Sequence, residues 1–257
     1  MANKDTIKKT LLVSLSLCLV CSIIVSSAAV LLRDQQAINK DLDRKKNILL
    51  AAGLYDENRT IDEQFKVIKP YVIDLDSGRF SDVSPNNFDQ LKLTKDLQHS
   101  LELDSDRDIA KISRRENQAV VYVVNVDDKL DKIILPVRGY GLWSTLYGFI
   151  ALESDFNTVA GLGFYQHGET PGLGGEVDNP RWKSSWIGKS VYLNNEVKLA
   201  LVKGAVQPNS PNKKYEIDGL SGATLTANGV TNLIKFWLGP DGFKKFIDNY
   251  KDENIKI

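Results

Sequence analysis

The chain has 257 residues, and 33 basic side chains balance 33 acidic ones to a formal net charge of zero. That balance lacks the basic excess by which nucleic-acid binders are recognised, so no nucleic-acid partner is expected. Two cysteines, Cys18 and Cys21, exclude a four-cysteine cluster or zinc site, and two histidines, His99 and His167, exclude a three-histidine metal centre within one chain.

Residues 11–32 carry no charge. At about 1.5 Å per residue, a helix of this length crosses the roughly 30 Å hydrocarbon layer of a bilayer. The run is longer than the apolar region of a cleaved export signal, so it reads as a retained anchor in membrane lipid. Residues 1–10 then form a short cytoplasmic terminus. Lys4, Lys8 and Lys9 precede the span, and Arg33, Lys40, Arg44, Lys45 and Lys46 follow it, a near tie that leaves orientation open on charge alone.

No second apolar span follows. Residues 36–52 read as a polar helix leaving the membrane and stopping at Gly53. Thr60-Ile-Asp-Glu63 matches a capping box opening a short helix that includes Phe65, Val67 and Ile68 and ends before Pro70. Residues 71–75 read as a strand. Residues 80–117, polar with scattered leucines, read as helical and peripheral, and His99 among them as a solvated surface residue. Residues 33–117 are thus expected to form a helical or mixed membrane-proximal region.

The character changes after residue 118. Residues 119–126, 132–137, 146–152, 159–165 and 197–202 are rich in β-branched and aromatic side chains and read as strands. Pro136 suggests a strand end or an edge. Helical patterns return at 230–238 and 243–250. Strands followed by helices predict an α+β fold. The expected architecture is an N-terminal transmembrane helix, then a soluble domain with a mainly antiparallel sheet flanked by helices, its second part spanning 118–257.

Several motifs fail. Lys183 stands where a Walker loop ending at Gly188-Lys-Ser190 needs its first glycine. No stretch completes the dinucleotide fingerprint, and Gly219-Leu-Ser-Gly222 is one residue short of a nucleophile elbow. His167 and Glu169 have no neighbours to complete a metal site. Two glycine-rich loops remain. His167-Gly-Glu-Thr-Pro-Gly-Leu-Gly-Gly175 follows a strand and lets a ligand approach its backbone. Asp218-Gly-Leu-Ser-Gly-Ala-Thr-Leu-Thr226 runs into a helix, whose free N–H groups favour an anion, phosphate in particular. On chemistry alone Thr224 and Thr226 are both able to form a phosphoester.

Ser221-Gly-Ala-Thr-Leu-Thr226 resembles the flavinylation motif of FMN-binding domains of membrane redox complexes, and His167-Gly-Glu-Thr-Pro-Gly-Leu-Gly174 resembles a second loop of that family. Gly139-Tyr-Gly-Leu-Trp-Ser144 with Tyr147-Gly-Phe149 is similar to the C-subunit family of Na+-translocating NADH:quinone reductases. The alternatives are the related RNF-type G subunit and a flavin-binding regulator or cofactor-free adaptor. The resemblance implies FMN joined by a phosphoester to the last threonine, Thr226, with Ser221, Gly222, Ala223, Thr224 and Leu225 around its phosphate and ribityl chain. Leu142, Trp143 and Leu173 would pack on the ring, Glu169 and Thr170 would bond its polar edge, and Gly172 and Gly174 would let it lie close. It further implies an electron relay within an assembly of six subunits, iron–sulfur and flavin subunits among them, with no catalytic residue of this chain's own. An exported flavin transferase using FAD would load the cofactor, which places the large domain on the periplasmic side of a bacterial inner membrane.

Overall fold

The computed structural model describes residues 6–86 and 88–253. The chain divides into two units, residues 1–43 and 44–257. Helix α1 (Ile7–Ala51) occupies the described part of the first and continues into the second. It is long and apolar enough to cross a membrane. Gly53, at φ +68°, takes the left-handed conformation that ends a helix without a Cβ penalty.

In the second unit, α2 (Ile61–Phe65) opens with the expected capping box, Thr60 and Glu63 each bonding the other's backbone N–H at 3.4 Å. Six antiparallel strands then make one sheet. They are β1 (Ile68–Asp74), β2 (Arg79–Phe80), and, after the short elements α3 (Gln90–Leu93), β3 (Ser100–Glu102) and β4 (Arg114–Glu116), the long strands β5 (Gln118–Val126), β6 (Lys129–Tyr140), β7 (Thr145–Glu153) and β8 (Val159–Gln166). The order is β2-β1-β5-β6-β7-β8. Beyond it lie α4 (Pro180–Ser184), the two-residue strands β9 (Tyr192–Leu193), β10 (Glu196–Val197), β11 (Ala200–Leu201) and β12 (Glu216–Ile217), and helices α5 (Thr224–Trp237) and α6 (Lys244–Glu253).

Both sheet faces are covered, which explains why β5 reads as a continuous apolar run rather than an alternating one. Val121, Ile133, Leu135 and Ile150 pack in one core with Leu233, Ile234, Trp237 and Phe246 of the C-terminal helices. Val120, Tyr122, Ile134 and Phe149 pack in the other with Ile48, Leu49 and Ala52. Each such large side chain, fully buried, contributes about 1.5–3 kcal/mol.

Several expectations change. Residues 80–117 are loops, turns and a β3–β4 ladder with one short helix, because Asp89, Asp96, Asp104 and Asp108 bond nearby backbone N–H groups and hold turns. They are also not all peripheral: buried Glu116 pairs with Arg138 of β6 at 2.7 Å. The division at residue 117 crosses a single sheet, since β1 pairs with β5 from Ile68↔Val124 to Asp74↔Gln118. Val67 and Ile68 are outside α2, and Pro70 lies inside β1. Residues 197–202 split between β10 and β11, which belong to different small sheets. Pro136 lies within β6 paired with Phe149, but beyond the β5–β6 ladder, which ends at Ile134, so its missing N–H removes no bond to β5. His99 is exposed and bonded to Asp96 at 2.8 Å, in line with a solvated histidine.

Helix α5 reaches the end of β6 at unusually close range. A Cβ on Gly229 would run into the Tyr140 carbonyl oxygen and lie 3.0 Å from the Gly141 Cα. Gly229→Ala therefore sets a helix-propensity gain of about 1 kcal/mol against an overpacking cost of about 1–3 kcal/mol that only backbone movement relieves. The expected net result is destabilisation, read as a lower urea midpoint at unchanged slope.

Candidate functional site

Three segments converge where α5 meets the sheet: the Gly141–Ser144 turn joining β6 to β7, the loop after β8, and the start of α5. The turn closes on itself through the Gly141 N–H bonding the Ser144 carbonyl at 2.9 Å. The Ser144 hydroxyl accepts the Gly168 N–H at 2.6 Å and so ties the turn to the loop after β8.

Glu169 joins all three. Its side chain is buried, and one carboxylate oxygen accepts the N–H groups of Leu142, Trp143 and Ser144 at 3.1, 3.0 and 3.3 Å. The other accepts the Thr226 hydroxyl at 2.6 Å. Glycines make room for it. A Cβ on Gly141 would stand 2.6 Å from Glu169 Oε1, and one on Gly174 would stand 2.6 Å from Thr226 Oγ1 and 2.7 Å from Glu169 Oε2. Gly172 has a different reason, since open space surrounds it and φ +77° demands glycine. Gly222, at φ +69°, brings the α5 approach against Leu173, whose Cδ2 would lie 3.0 Å from a Cβ there.

The two candidate hydroxyls sit in opposite environments. Thr226 is 0% exposed and donates to Glu169, whereas Thr224 is exposed in the first turn of α5. Glu169, expected at the polar edge of a ring, bonds the Leu142, Trp143 and Ser144 N–H groups and the Thr226 hydroxyl in the flavin-free chain. The Ala223 N–H bonds the Leu220 carbonyl at 3.1 Å. No side chain caps α5, so N–H groups of its first turn, in which Thr224 and Thr226 both lie, remain available. Ser221, Gly222, Thr170 and Leu225 are exposed, and Ala223 is buried.

Four large apolar side chains belonging to these segments face solvent: Leu142, Leu173, Leu225 and, 66% exposed, Trp143. Exposed apolar side chains of this size, on segments that meet at Glu169, suit a binding surface. Below the loop, His167 Nε2 meets Asp178 Oδ2 at 2.7 Å, and its Nδ1 accepts the Glu169 N–H at 3.2 Å, an arrangement met by the neutral ring protonated on Nε2. The roles of Ser144, Gly141 and Gly229 escape sequence reading, because each acts through a tertiary contact. The glycines at 139 and 141 enter the sequence reading through the resemblance carried by Gly139-Tyr-Gly-Leu-Trp-Ser144, which does not show what they approach.

Burial raises the Glu169 carboxyl pKa, but the bonds from Thr226 and from the Trp143, Leu142 and Ser144 N–H groups outweigh it and hold the value below the ordinary glutamate range. A carboxyl depressed in the folded state adds stability that is present above its unfolded value of about 4.3 and is lost as pH falls through the folded value. Glu169→Gln should therefore have a lower urea midpoint than the parent chain at neutral pH, and the difference should close in acid. A difference unchanged with pH would show that the charge is not involved.

An FMN-binding domain family model matches residues 141–239, which contain all three segments. The chain is 52% identical over 257 residues to the C subunit of the Na(+)-translocating NADH-quinone reductase of Pseudomonas aeruginosa, covering 98% of each chain. It is 47% identical over 256 residues to the C subunit of the Vibrio anguillarum reductase, covering 99% of each. Among solved structures, it is similar to Shewanella oneidensis NqrC at a TM-score of 0.76 and 37% identity, covering 84% of this chain and 99% of that one. It is similar also to the C subunit of the Parabacteroides distasonis reductase at 0.65 and 28%, covering 84% and 96%. With a site of this shape inside the matched segment and identity running the length of the sequence, the chain belongs to the C-subunit family of the Na(+)-translocating NADH-quinone reductases.

Proposed function

We propose that this chain relays electrons within a membrane Na+-translocating NADH:quinone reductase through one FMN, joined by a phosphoester to Thr226. The observation that carries this is an uncapped helix start whose Thr226 hydroxyl is singled out by a buried carboxylate, beside a rim of exposed Leu142, Trp143, Leu173 and Leu225. The residues present suit the group. Open N–H groups at a helix start favour a phosphate, and an apolar rim suits a flat aromatic ring. In the flavin-free chain the Thr226 hydroxyl is buried, with Gly174 against it, so loading requires the Gly172–Gly174 stretch to shift while Glu169 stays bound to the turn between β6 and β7. Thr224, exposed two residues earlier, is the second reading, favoured by its accessibility but held by no partner group of the site.

Loading from FAD would form a bond from Thr226 Oγ1 to the FMN phosphorus and break the pyrophosphate bond, with AMP leaving and the hydroxyl proton released. Bound FMN supplies one- and two-electron redox chemistry. This chain's residues do the rest. The α5 start would hold the ester charge, Trp143, Leu142 and Leu173 would pack against the ring, and the covalent tether would prevent loss between turnovers. Ser221, Gly222, Thr224 and Leu225 would line the approach to the phosphate, and Thr170 would bond the ring's polar edge. In this reading the bound FMN would take electrons from an iron centre in partner membrane subunits and pass them to the next flavin, and the NADH, quinone and sodium sites would belong to other subunits. The identity over 98% of the chain favours this reading over an RNF-type relative.

Peptide mass spectrometry of the native protein should place the FMN mass on Thr226. Thr226→Ser should retain it. Thr226→Ala should lack it and also lose about 1–3 kcal/mol of stability in the flavin-free chain, because a buried Glu169 oxygen is left without its donor. Flavin found on Thr224 would overturn the assignment.

Residues 11–32 serve in this reading as a retained single-pass anchor in a bacterial inner membrane, with the large domain periplasmic, where an exported flavin transferase reaches it. N-terminal sequencing of the native protein should begin ahead of residue 11. A start near Ala28 or Ala29 would mean a cleaved signal instead.

A further inference from the structure

We infer that Glu169 is the group that orients the Thr226 hydroxyl and takes up its proton when the flavin phosphate is attached. The inference rests on the reading that FMN is joined to Thr226, and it assigns to this chain, rather than to the transferase alone, a part in its own modification.

A threonine hydroxyl is a weak nucleophile until a neighbouring base draws off its proton. Such a base must lie within hydrogen-bond reach of that proton, about 2.6–3.2 Å between heavy atoms. Glu169 Oε2 lies 2.6 Å from Thr226 Oγ1 and accepts its hydrogen. The bond points the proton at the carboxylate and leaves the oxygen lone pairs free for phosphorus. Thr224 has no such partner among the described residues, so the two chemically equal hydroxyls differ in activation as well as in burial.

The carboxylate is itself held in place. Three N–H groups from Leu142, Trp143 and Ser144 converge on Oε1 at 3.0–3.3 Å, which fixes the side chain and leaves Oε2 to Thr226. Gly141 and Gly174 both lack the Cβ that would enter the space the carboxylate fills. Three segments distant in sequence are thus arranged around a single oxygen aimed at one hydroxyl. The step balances without a further reagent. The Thr226 Oγ1–phosphorus bond forms and the pyrophosphate bond of FAD breaks. AMP leaves, and the proton passes to Glu169 and then to solvent. Once the ester has formed, Oγ1 has no hydrogen to donate, so attachment also releases Glu169 from α5.

Glutamine separates this role from a structural one. It is nearly isosteric with glutamate. Its amide oxygen accepts the three N–H groups and its amide nitrogen donates to Thr226, so the bridge survives while the proton acceptor is lost. The test uses the full-length flavin-free protein, the transferase and FAD, with covalent flavin mass followed in time at varied protein concentration. Glu169→Gln should lower the turnover number for attachment by about 10²-fold or more, with the KM for the chain unchanged. Parent-like turnover in this variant would overturn the inference, as would a raised KM with turnover intact, which marks a merely structural group. If glutamine prevents folding, Glu169→Asp keeps the charge but draws the oxygen about one methylene away from Thr226, and the same fall in turnover is expected. A parent protein that gains no flavin mass, or gains it on Thr224, sinks the FMN reading and the inference with it. Equal loading of parent and glutamine variant sinks only the role of Glu169.

Discussion

A carboxylate buried away from water is tolerated only when its oxygens are filled by donors, and the site of this protein is organised around one such group. Glu169 takes three backbone N–H groups on one oxygen and the Thr226 hydroxyl on the other. Satisfying it draws together the turn between β6 and β7, the loop after β8 and the start of α5. These segments belong to distant parts of the chain, and the remaining features of the site depend on their meeting.

The fold makes that meeting possible by bringing backbones closer than side chains ordinarily permit. Gly229 of α5 lies against the end of β6 near Tyr140 and Gly141, while Gly139 lies against Leu233. The Trp237 indole N–H bonds the Arg138 carbonyl at 2.7 Å and fixes the helix along β6. The same Arg138 pairs with buried Glu116, tying the segment before β5 to the strand that carries the site. A sheet buried on both faces supplies a stiff platform, and the functional segments sit at its end on turns, as is common for binding groups.

One consequence is that two hydroxyls only two residues apart are made unequal. A helix turns about 100° per residue, so Thr224 and Thr226 point in widely different directions. The first faces solvent, and the second faces the Glu169 carboxylate. In the proposed electron relay the same bond that holds the flavin-free site together also marks the oxygen to be modified. The positive φ of Gly172 and Gly222 places conformationally permissive residues on both sides of that buried oxygen.

Much of this was legible in the sequence. The uncharged run at 11–32, the strands at 119–126, 146–152 and 159–165, the C-terminal helices and both glycine-rich loops follow from local periodicity and composition, because burial of a face or a span imposes its pattern on neighbouring residues. The resemblance of those loops to a family's motifs also indicated the cofactor class. Residues 80–117 depart from the helical reading because their order comes from aspartate-held turns and from pairing with β6, neither of which leaves a periodic trace. The orientations of Thr224, Thr226 and Glu169 were beyond any local pattern. Sequence determined that two hydroxyls and a carboxylate occur in glycine-rich loops; only tertiary structure decided which hydroxyl meets the carboxylate, because that depends on a bond between residues 57 positions apart.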